Sequence, residues 1–141
     1  MKAITFSAIL FLSVFLLNCN SDSFLSNSFE FDLNDAIDVT TSQQVSNPDC
    51  KITIQIDSVL NDSRCPSNAD CVWAGNASVR FRFTDKGSAM LFVLNTYGGE
   101  NFPSDTVIGD YTITMIGLSP YPLAGEEIEQ DEYVARLLIE K

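Results

Sequence analysis

The chain has 141 residues, with eight Lys or Arg, 19 Asp or Glu and no histidine, and its net charge is −11. This acidic balance argues against a nucleic-acid partner, because phosphate binding needs clustered cations. The absence of histidine excludes Ser-His-Asp and Cys-His catalysis and every zinc site that needs imidazole. With 45% hydrophobic residues, the chain is apolar enough for a packed core.

The N-terminal residues have the pattern of an export signal. Lys2 supplies a positive end, and residues 3–17 carry no charge and are rich in Phe, Leu and Ile. An apolar run of this length is short for a membrane-spanning helix but typical of a signal peptide. We therefore predict that residues 1–18 are a signal peptide.

The end of the apolar run, Leu16-Leu17-Asn18-Cys19, resembles a bacterial lipobox, in which a signal peptidase cleaves before a lipidated cysteine. The resemblance implies a lipoprotein that is attached to a membrane through Cys19, with residues 19–28 as the lipidated cysteine and a flexible tether. Because Asn20 rather than Asp follows, resemblance to Gram-negative sorting implies the outer membrane. The alternative is a secreted or periplasmic protein in which Cys19 pairs with another cysteine, as an even cysteine count favours.

The remaining residues, 29–141, have the pattern of a single all-β domain. Apolar and polar residues alternate in several runs, which predicts half-buried strands. These runs are residues 29–33, 52–57, 79–84, 111–115 and 133–140.

Three further segments complete this prediction. Residues 91–94 are apolar on both faces, which predicts a central strand. Residues 36–45 hold a weaker strand, and residues 126–131 could form one short helical turn. We predict a two-sheet antiparallel β-sandwich of immunoglobulin-like size, with a small β-barrel as the alternative.

The densest local signal lies between Asp62 and Gly75. Cys65 and Cys71 flank a stretch that is rich in turn-forming residues, and in an oxidising compartment a disulfide between them would close a tight loop. Loop-closure entropy for such a loop is about 2.4 kcal/mol. Trp73 lies two residues beyond Cys71, so we expect it to pack on the disulfide, and Gly75 suits a bulge or a close backbone approach.

A disulfide-held loop can also recognise a partner, because ordering it in advance lowers the entropy cost of binding. The candidate binding residues are Arg64, Pro66, Asn68, Asp70 and Trp73. The competing interpretation is purely structural: Asp62 and Ser63 cap the turn, and Arg64 pairs with Asp62 or Asp70.

The motif Asp-Ser-Arg-Cys-Pro followed by Cys-Val-Trp-Ala-Gly resembles one found in a family of small exported bacterial proteins, many of them predicted lipoproteins. The resemblance includes the flanking runs at residues 52–59 and 78–83 and extends more faintly to residues 133–139. It implies export to the cell envelope, and it implies no particular activity.

Other chemical patterns are weak. Asp62, Asn68, Asp70 and Asn76 offer oxygen atoms of the kind that calcium binds, but their spacing matches no EF-hand. We also find no phosphate-binding glycine loop and no dinucleotide motif, so we expect neither a metal nor a cofactor.

Two groups of side chains leave alternatives open. The acidic run at residues 126–132 is interpreted as a solvated loop rather than an acid/base pair. Tyr97, Phe102 and Tyr121 lie in predicted loops, where they either stack on sugar or peptide or cover the ends of the sandwich.

Cys50 has no assigned partner. It could pair with Cys19 in the absence of a lipid, bridge to a second chain, or stay a free thiol. A catalytic role is disfavoured, because no histidine exists to activate the thiol and Asp49 beside it would disfavour the thiolate.

Together these features predict a lipid-anchored envelope protein with a non-enzymatic binding or structural role, whose partner is an envelope protein or a glycan. An inhibitor of an exported protease that acts through its end loops is the second hypothesis. A hydrolase that uses carboxylates of the acidic run is a weaker third.

Replacing Cys19 with Ser should move the protein from the membrane fraction to the soluble fraction, because it removes acyl chains that contribute about 0.8 kcal/mol of membrane affinity per buried CH₂. Cell fractionation followed by immunoblotting measures this. Cys50→Ser, which leaves Cys19 in place, is the control and should stay membrane-bound. Membrane retention of the Cys19→Ser variant would contradict the anchor.

Overall fold

A computed structural model describes residues 29–141 of the protein. These residues fold into two antiparallel sheets of four strands each. The predicted signal peptide, Cys19 and the tether lie outside the described residues. The strands are β1 (Ala36–Thr40), β2 (Val45–Asn47), β3 (Ile52–Asp62), β4 (Ala77–Asp85), β5 (Ser88–Asn95), β6 (Asp105–Ile108), β7 (Tyr111–Ser119) and β8 (Val134–Glu140). A short 3₁₀ helix, Gln130–Glu132, precedes β8, and no helix within residues 29–141 is long and apolar enough to cross a membrane.

The strand order is β2-β3-β4-β5 in the first sheet and β1-β8-β7-β6 in the second. Each neighbouring pair is antiparallel, and the chain changes sheet between β1 and β2 and again between β5 and β6. The predicted all-β, two-sheet sandwich is therefore confirmed. The barrel alternative is wrong, because each sheet keeps two edges rather than closing on itself.

The core lies between the sheets and is built by the alternation seen in the sequence. The fully buried large side chains include three isoleucines of β3 and two phenylalanines of β4, together with residues of β5, β7 and β8: Ile52, Ile54, Ile56, Phe81, Phe83, Leu94, Ile113 and Leu137. Phe83 of the first sheet meets Tyr111 of the second edge to face, with their ring centroids 5.7 Å apart. Such contacts join the two layers.

The prediction of a central strand at residues 91–94 is wrong in one respect: the strand exists as β5, but it lies at the edge of its sheet. Leu91 is 54% exposed, and Met90 and Val93 are also exposed. A run that is apolar on both faces is typical of a strand covered on both sides. Here the order of the strands in the sheet decides how exposed these side chains are, because no described residue covers the free edge or the outer face of β5.

The first alternating run, residues 29–33, does not form a strand beyond a single parallel bridge between Glu30 and Ser46. Phe31 is buried, and its N–H donates to the Ser46 carbonyl at 3.0 Å. The side chain of Asn47 donates to the Phe31 carbonyl at 2.8 Å. The segment thus covers the β2 edge of the first sheet instead of extending it.

The weaker run, residues 36–45, provides β1 and the first residue of β2, and the predicted helical turn forms a few residues later than expected.

The three long connections, residues 63–76, 96–104 and 120–133, lie at the same end of the sandwich, which we call the loop end. Within the first sheet the pairing shows this, because Ala77 lies opposite Asp62 and Asn95 opposite Ser78. The β7–β8 loop of the second sheet lies at the same end, because the Ser67 N–H donates to the Pro122 carbonyl. The β4–β5 and β6–β7 turns at the opposite end are short.

Candidate binding surface at the loop end

The predicted disulfide between Cys65 and Cys71 is confirmed, with an S–S distance of 2.07 Å. Below it, the two arms of the loop continue to pair beyond β3 and β4. The Ser63 N–H donates to the Asn76 carbonyl and the Cys65 N–H donates to the Ala74 carbonyl, both at 2.7 Å. The covalent bond and this short ladder together hold the loop in one conformation.

Gly75 is required where the two arms meet. Its φ is +72°, in the region that favours glycine, and a Cβ atom at this position would lie 1.8 Å from the Ser63 carbonyl oxygen. The close approach that the sequence suggested is therefore real, and it explains the glycine through both backbone conformation and lack of space.

Arg64 is buried, with only 6% of its surface exposed. Its Nε and Nη2 donate to the two oxygens of Asp62 at 2.8 and 2.6 Å. Its Nη1 donates to the Leu118 carbonyl at 2.5 Å, and Nη2 also donates to the Pro120 carbonyl at 2.8 Å. The guanidinium of this loop therefore binds the backbone of the opposite sheet, at the end of β7.

The Arg64 side chain was a candidate for partner recognition, and the structure gives it a different position. Four hydrogen bonds and the Tyr121 ring, whose centroid lies 4.9 Å from the guanidinium carbon, occupy most of its surface. The sequence could not show this, because the acceptors at Leu118 and Pro120 lie more than 50 residues away. Arg64 supports the surface rather than forming its exposed part.

Asp62 completes this buried cluster. Its carboxylate also accepts a hydrogen bond from the Tyr133 hydroxyl at 3.1 Å. Burial raises the pKa of Asp62, but the hydrogen bonds from Arg64 outweigh that effect, so the pKa is lowered. Burial and the negative charge of Asp62 raise the pKa of Tyr133, which keeps its hydroxyl protonated as a donor.

The disulfide loop docks on the β7–β8 loop. The Ser67 N–H donates to the Pro122 carbonyl at 2.9 Å, and the Asn68 side chain accepts from the Ala124 N–H at 2.7 Å. Asn68 was predicted as a turn former or a binding residue. Here its oxygen ties two loops together, although the residue remains exposed.

Asn76 ties the same loop to the β5–β6 loop. Its amide nitrogen donates to Asn95 at 2.9 Å, and its amide oxygen accepts from the Tyr97 N–H at 3.0 Å. Asn95 in turn donates through its backbone N–H to the Pro103 carbonyl at 2.9 Å. The three long loops are thus parts of one braced surface.

A shallow cavity of about 360 Å³ opens in this surface, and its lining includes Arg64, Gly75, Tyr97, Ile116 and Tyr121. The two tyrosines and Ile116 are exposed. Of the aromatic residues that were predicted in loops, the structure places Tyr97 and Tyr121 around one cavity. Phe102 is exposed on the β5–β6 loop.

The prediction that Trp73 packs on the disulfide is wrong. The Trp73 side chain is not buried, and 78% of the residue's surface is exposed. The prediction assumed strand geometry, but β4 begins only at Ala77. Val72 beside it is 90% exposed. Sequence reasoning overlooked Val72, whose signal was an apolar side chain inside a stretch of turn-forming residues.

Pro66 and Asp70 are the remaining candidate binding residues. Pro66 is half-buried, and its carbonyl accepts from the Ala69 N–H at 3.1 Å, which forms the turn inside the loop. Asp70 is exposed and does not pair with Arg64. Of the five predicted residues, therefore, Trp73, Asn68 and Asp70 lie on the accessible part of the loop.

All five acidic residues of the run at residues 126–132 are exposed to solvent: Glu126, Glu127, Glu129, Asp131 and Glu132. The Glu132 carboxylate accepts from the Glu129 N–H at 2.8 Å, which caps the 3₁₀ helix. Within residues 29–141, no three His, Cys, Asp or Glu side chains come together in a way that could hold a metal ion.

Cys50 is buried and disulfide-bonded, so it is not a free thiol. Cys65 and Cys71 bond to each other, so Cys19 is the one other cysteine of this sequence that could be the partner of Cys50. A Cys19–Cys50 bridge would exclude the lipid, whereas lipidation of Cys19 would require Cys50 to bond to a second chain.

Comparisons of the chain with family models, with curated proteins and with solved structures gave no match. A functional interpretation therefore depends on the geometry of the loop end.

Gly75→Ala should lower the free energy of unfolding by at least about 4 kcal/mol, because the added Cβ meets the Ser63 carbonyl oxygen and the backbone conformation is strained. Gly109→Ala is the matched control: its φ is +61°, but open space surrounds it. The control should lose only about 1–2 kcal/mol. Urea denaturation measures both, and equal losses would show that Gly75 is not sterically required.

Asp62→Asn should destabilise the protein by about 3 kcal/mol at neutral pH, because it leaves the Arg64 guanidinium buried without a counter-charge. Since the folded-state pKa of Asp62 is lowered, its ionisation stabilises the protein fully above about pH 4 and loses this effect as the pH falls through the folded-state pKa. The difference between wild type and variant should therefore narrow below about pH 4.

Asp57→Asn is the control for this pH dependence, since Asp57 also pairs with arginines, Arg80 and Arg82, but near the surface. It should cost less than Asp62→Asn at neutral pH. Urea denaturation across the acidic range measures all three proteins. A gap between wild type and Asp62→Asn that stays constant with pH would refute the buried ion pair.

Proposed function

We propose that this protein is a non-enzymatic binding module of the bacterial cell envelope and that it binds a protein partner with its loop end. A lipid on Cys19 is part of this proposal only where Cys19 is not the disulfide partner of Cys50, and the fractionation of Cys19→Ser decides between the two. The observation that carries the proposal is the exposure of Val72 and Trp73 on a loop that is otherwise fully braced. Contiguous exposed apolar patches mark interaction sites on soluble proteins, and Val72 and Trp73 are adjacent in the chain.

The bracing is what makes the exposed residues suited to binding. The disulfide, Gly75 and the Arg64–Asp62 pair hold the loop before any partner arrives. Loop ordering then adds little entropy cost to association. Trp and Tyr are the residue types that contribute most to protein interfaces, and Tyr97 and Tyr121 lie around the adjacent cavity.

Charge supports a protein partner over a neutral glycan. The same β7–β8 loop that carries Tyr121 also carries the exposed carboxylates of residues 126–132. Because this loop docks on the disulfide loop, its carboxylates fit a protein partner that has basic residues beside an apolar pocket. Glycan binding is the alternative outcome of the test below.

The position of the chain entry supports the anchored arrangement. Phe29 lies beside Ser46, and Ser46 pairs with Thr53 near the beginning of β3. The loop end follows the last residue of β3, Asp62. A tether attached at Phe29 would therefore join the domain away from the loop end and leave that end free to meet a partner.

Inhibition of an exported protease is the second candidate function. A rigid, disulfide-held loop with exposed apolar side chains is a form that a protease can bind without distorting it. Under this hypothesis the captured partner is a protease, and Val72 and Trp73 are the residues that enter its active-site groove.

A hydrolase is less well supported. Three carboxylates of the acidic run and Asp62 line a shallow depression of about 390 Å³; the three are Glu126, Glu127 and Glu129. Retaining and inverting glycosidases need two carboxylates that converge on a bond. The oxygens of Asp62 are already bound by Arg64 and Tyr133, which leaves it poorly suited to act as a base.

The test is a crosslinking pull-down from envelope extract with the tagged mature chain. Trp73→Ala should reduce recovery of the captured protein by at least about tenfold, as expected when a central interface tryptophan is truncated. Val107→Ala is the matched control, because Val107 is also an exposed apolar residue but lies on β6, next to the short turn at the other end.

Quantitative mass spectrometry of the captured material gives the readout. Equal recovery with both variants would contradict the proposed surface. Loss of a bound polysaccharide instead of a protein would assign the surface to a glycan, and a captured protease whose activity falls on binding would select the inhibitor hypothesis.

A further inference from the structure

The free edge of β5 is a second surface with an unusual character. β5 runs from Ser88 to Asn95 without a charged residue, a proline or a glycine. Its pairing with β4 is regular from end to end, with no bulge. Its other edge pairs with no strand in the described part of the chain.

Sheet edges are normally protected against pairing with another chain by charges, prolines, bulges or short length. The other three edges of this sandwich follow that rule. β2 is three residues long and is covered by residues 29–31, while β1 carries Asp38 and β6 begins with Asp105 and has only four residues. Among the edge strands of the described residues, β5 is the longest, and it has neither a charged residue nor a proline nor a bulge to prevent pairing with another chain.

We propose that β5 pairs antiparallel with β5 of a second copy of this chain, which would join two four-stranded sheets into one of eight strands. A strand that pairs with itself about a two-fold axis must be complementary to itself. An uncharged strand with apolar residues on both faces meets that condition in several registers.

The faces of the strand fit this arrangement. Leu91 and Val93 lie opposite Arg82 and Arg80 of β4, so they point to the outer face of the sheet. Phe92, opposite Phe81, points to the core, and the two rings stack with centroids 5.6 Å apart. In the paired sheet, Leu91 and Val93 of one copy would lie beside those of the other and cover each other from water.

The absence of charged residues on β5 permits a second copy at this edge despite the acidic net charge of the chain. Two chains that each carry a net charge of −11 repel each other in most orientations. On the outer face, the guanidinium groups of Arg80 and Arg82 on the neighbouring strand β4 share the single carboxylate of Asp57 at 2.6 and 2.8 Å. Two β5 strands can therefore meet without either strand bringing a carboxylate of its own to the contact.

The size of the contact sets its strength. A single strand of this length spans about 27 Å, and one strand pair buries less than the roughly 1,200 Å² that is typical of stable complexes. We therefore expect a weak dimer, with a Kd in the range of about 10 μM to 1 mM.

Sedimentation equilibrium of the mature chain carrying Cys19→Ser and Cys50→Ser, which is expected to be soluble and cannot form a bridge through Cys50, tests the proposal. The average mass should rise from monomer towards dimer over this concentration range. Leu91→Lys should raise the Kd at least about tenfold, because it places a charge on the pairing edge. Val107→Lys adds the same charge at an exposed site on β6 and should leave the Kd unchanged.

Hydrogen exchange at the β5 amides provides an independent readout. Protection there should increase with protein concentration in the wild type and not in Leu91→Lys. A chain that stays monomeric up to about 1 mM would overturn the proposal. So would a dimer that survives Leu91→Lys in this background, which has no cysteine at position 50.

Discussion

The buried ion pair between Arg64 and Asp62 is the interaction on which the loop end depends. A charge removed from water is stable only when its hydrogen-bonding groups are satisfied. Asp62 closes β3 in one sheet, whereas the acceptors at Leu118 and Pro120 belong to the end of β7 in the other sheet and the loop after it. The pair therefore connects the two layers at the end where the long loops lie, and it does so through backbone carbonyls that must stay in place.

This support explains how the same loop can carry exposed apolar side chains. The loop is held from below by the ion pair, across its base by the ladder at Gly75, and around its tip by the disulfide. Its stability therefore does not require Trp73 to be buried. The residues that hold the loop and the residues that face solvent are different, which is the arrangement expected of a recognition loop on a rigid scaffold.

The loop end and the β5 edge are distinct surfaces with different physical origins. At the loop end, apolar side chains are presented by loops whose backbone polar groups are satisfied within the protein. At β5, the side chains and the backbone edge are both available, so pairing there would use main-chain hydrogen bonds. A module that dimerises weakly through β5 would present two loop ends, and bivalent binding of this kind strengthens attachment to a repeated or clustered partner.

The amino-acid sequence by itself determined what depends on neighbours along the chain: the alternation that makes residues 52–57, 79–84, 111–115 and 133–140 strands, and the turn chemistry that brings Cys65 and Cys71 together. Only the tertiary structure decided that β5 is an edge, that Arg64 is buried, and that Trp73 faces solvent. The physical reason is that these outcomes depend on which distant segment lies alongside. Strand periodicity is the same at the centre and at the edge of a sheet, and the partners of a guanidinium more than 50 residues away leave no local pattern.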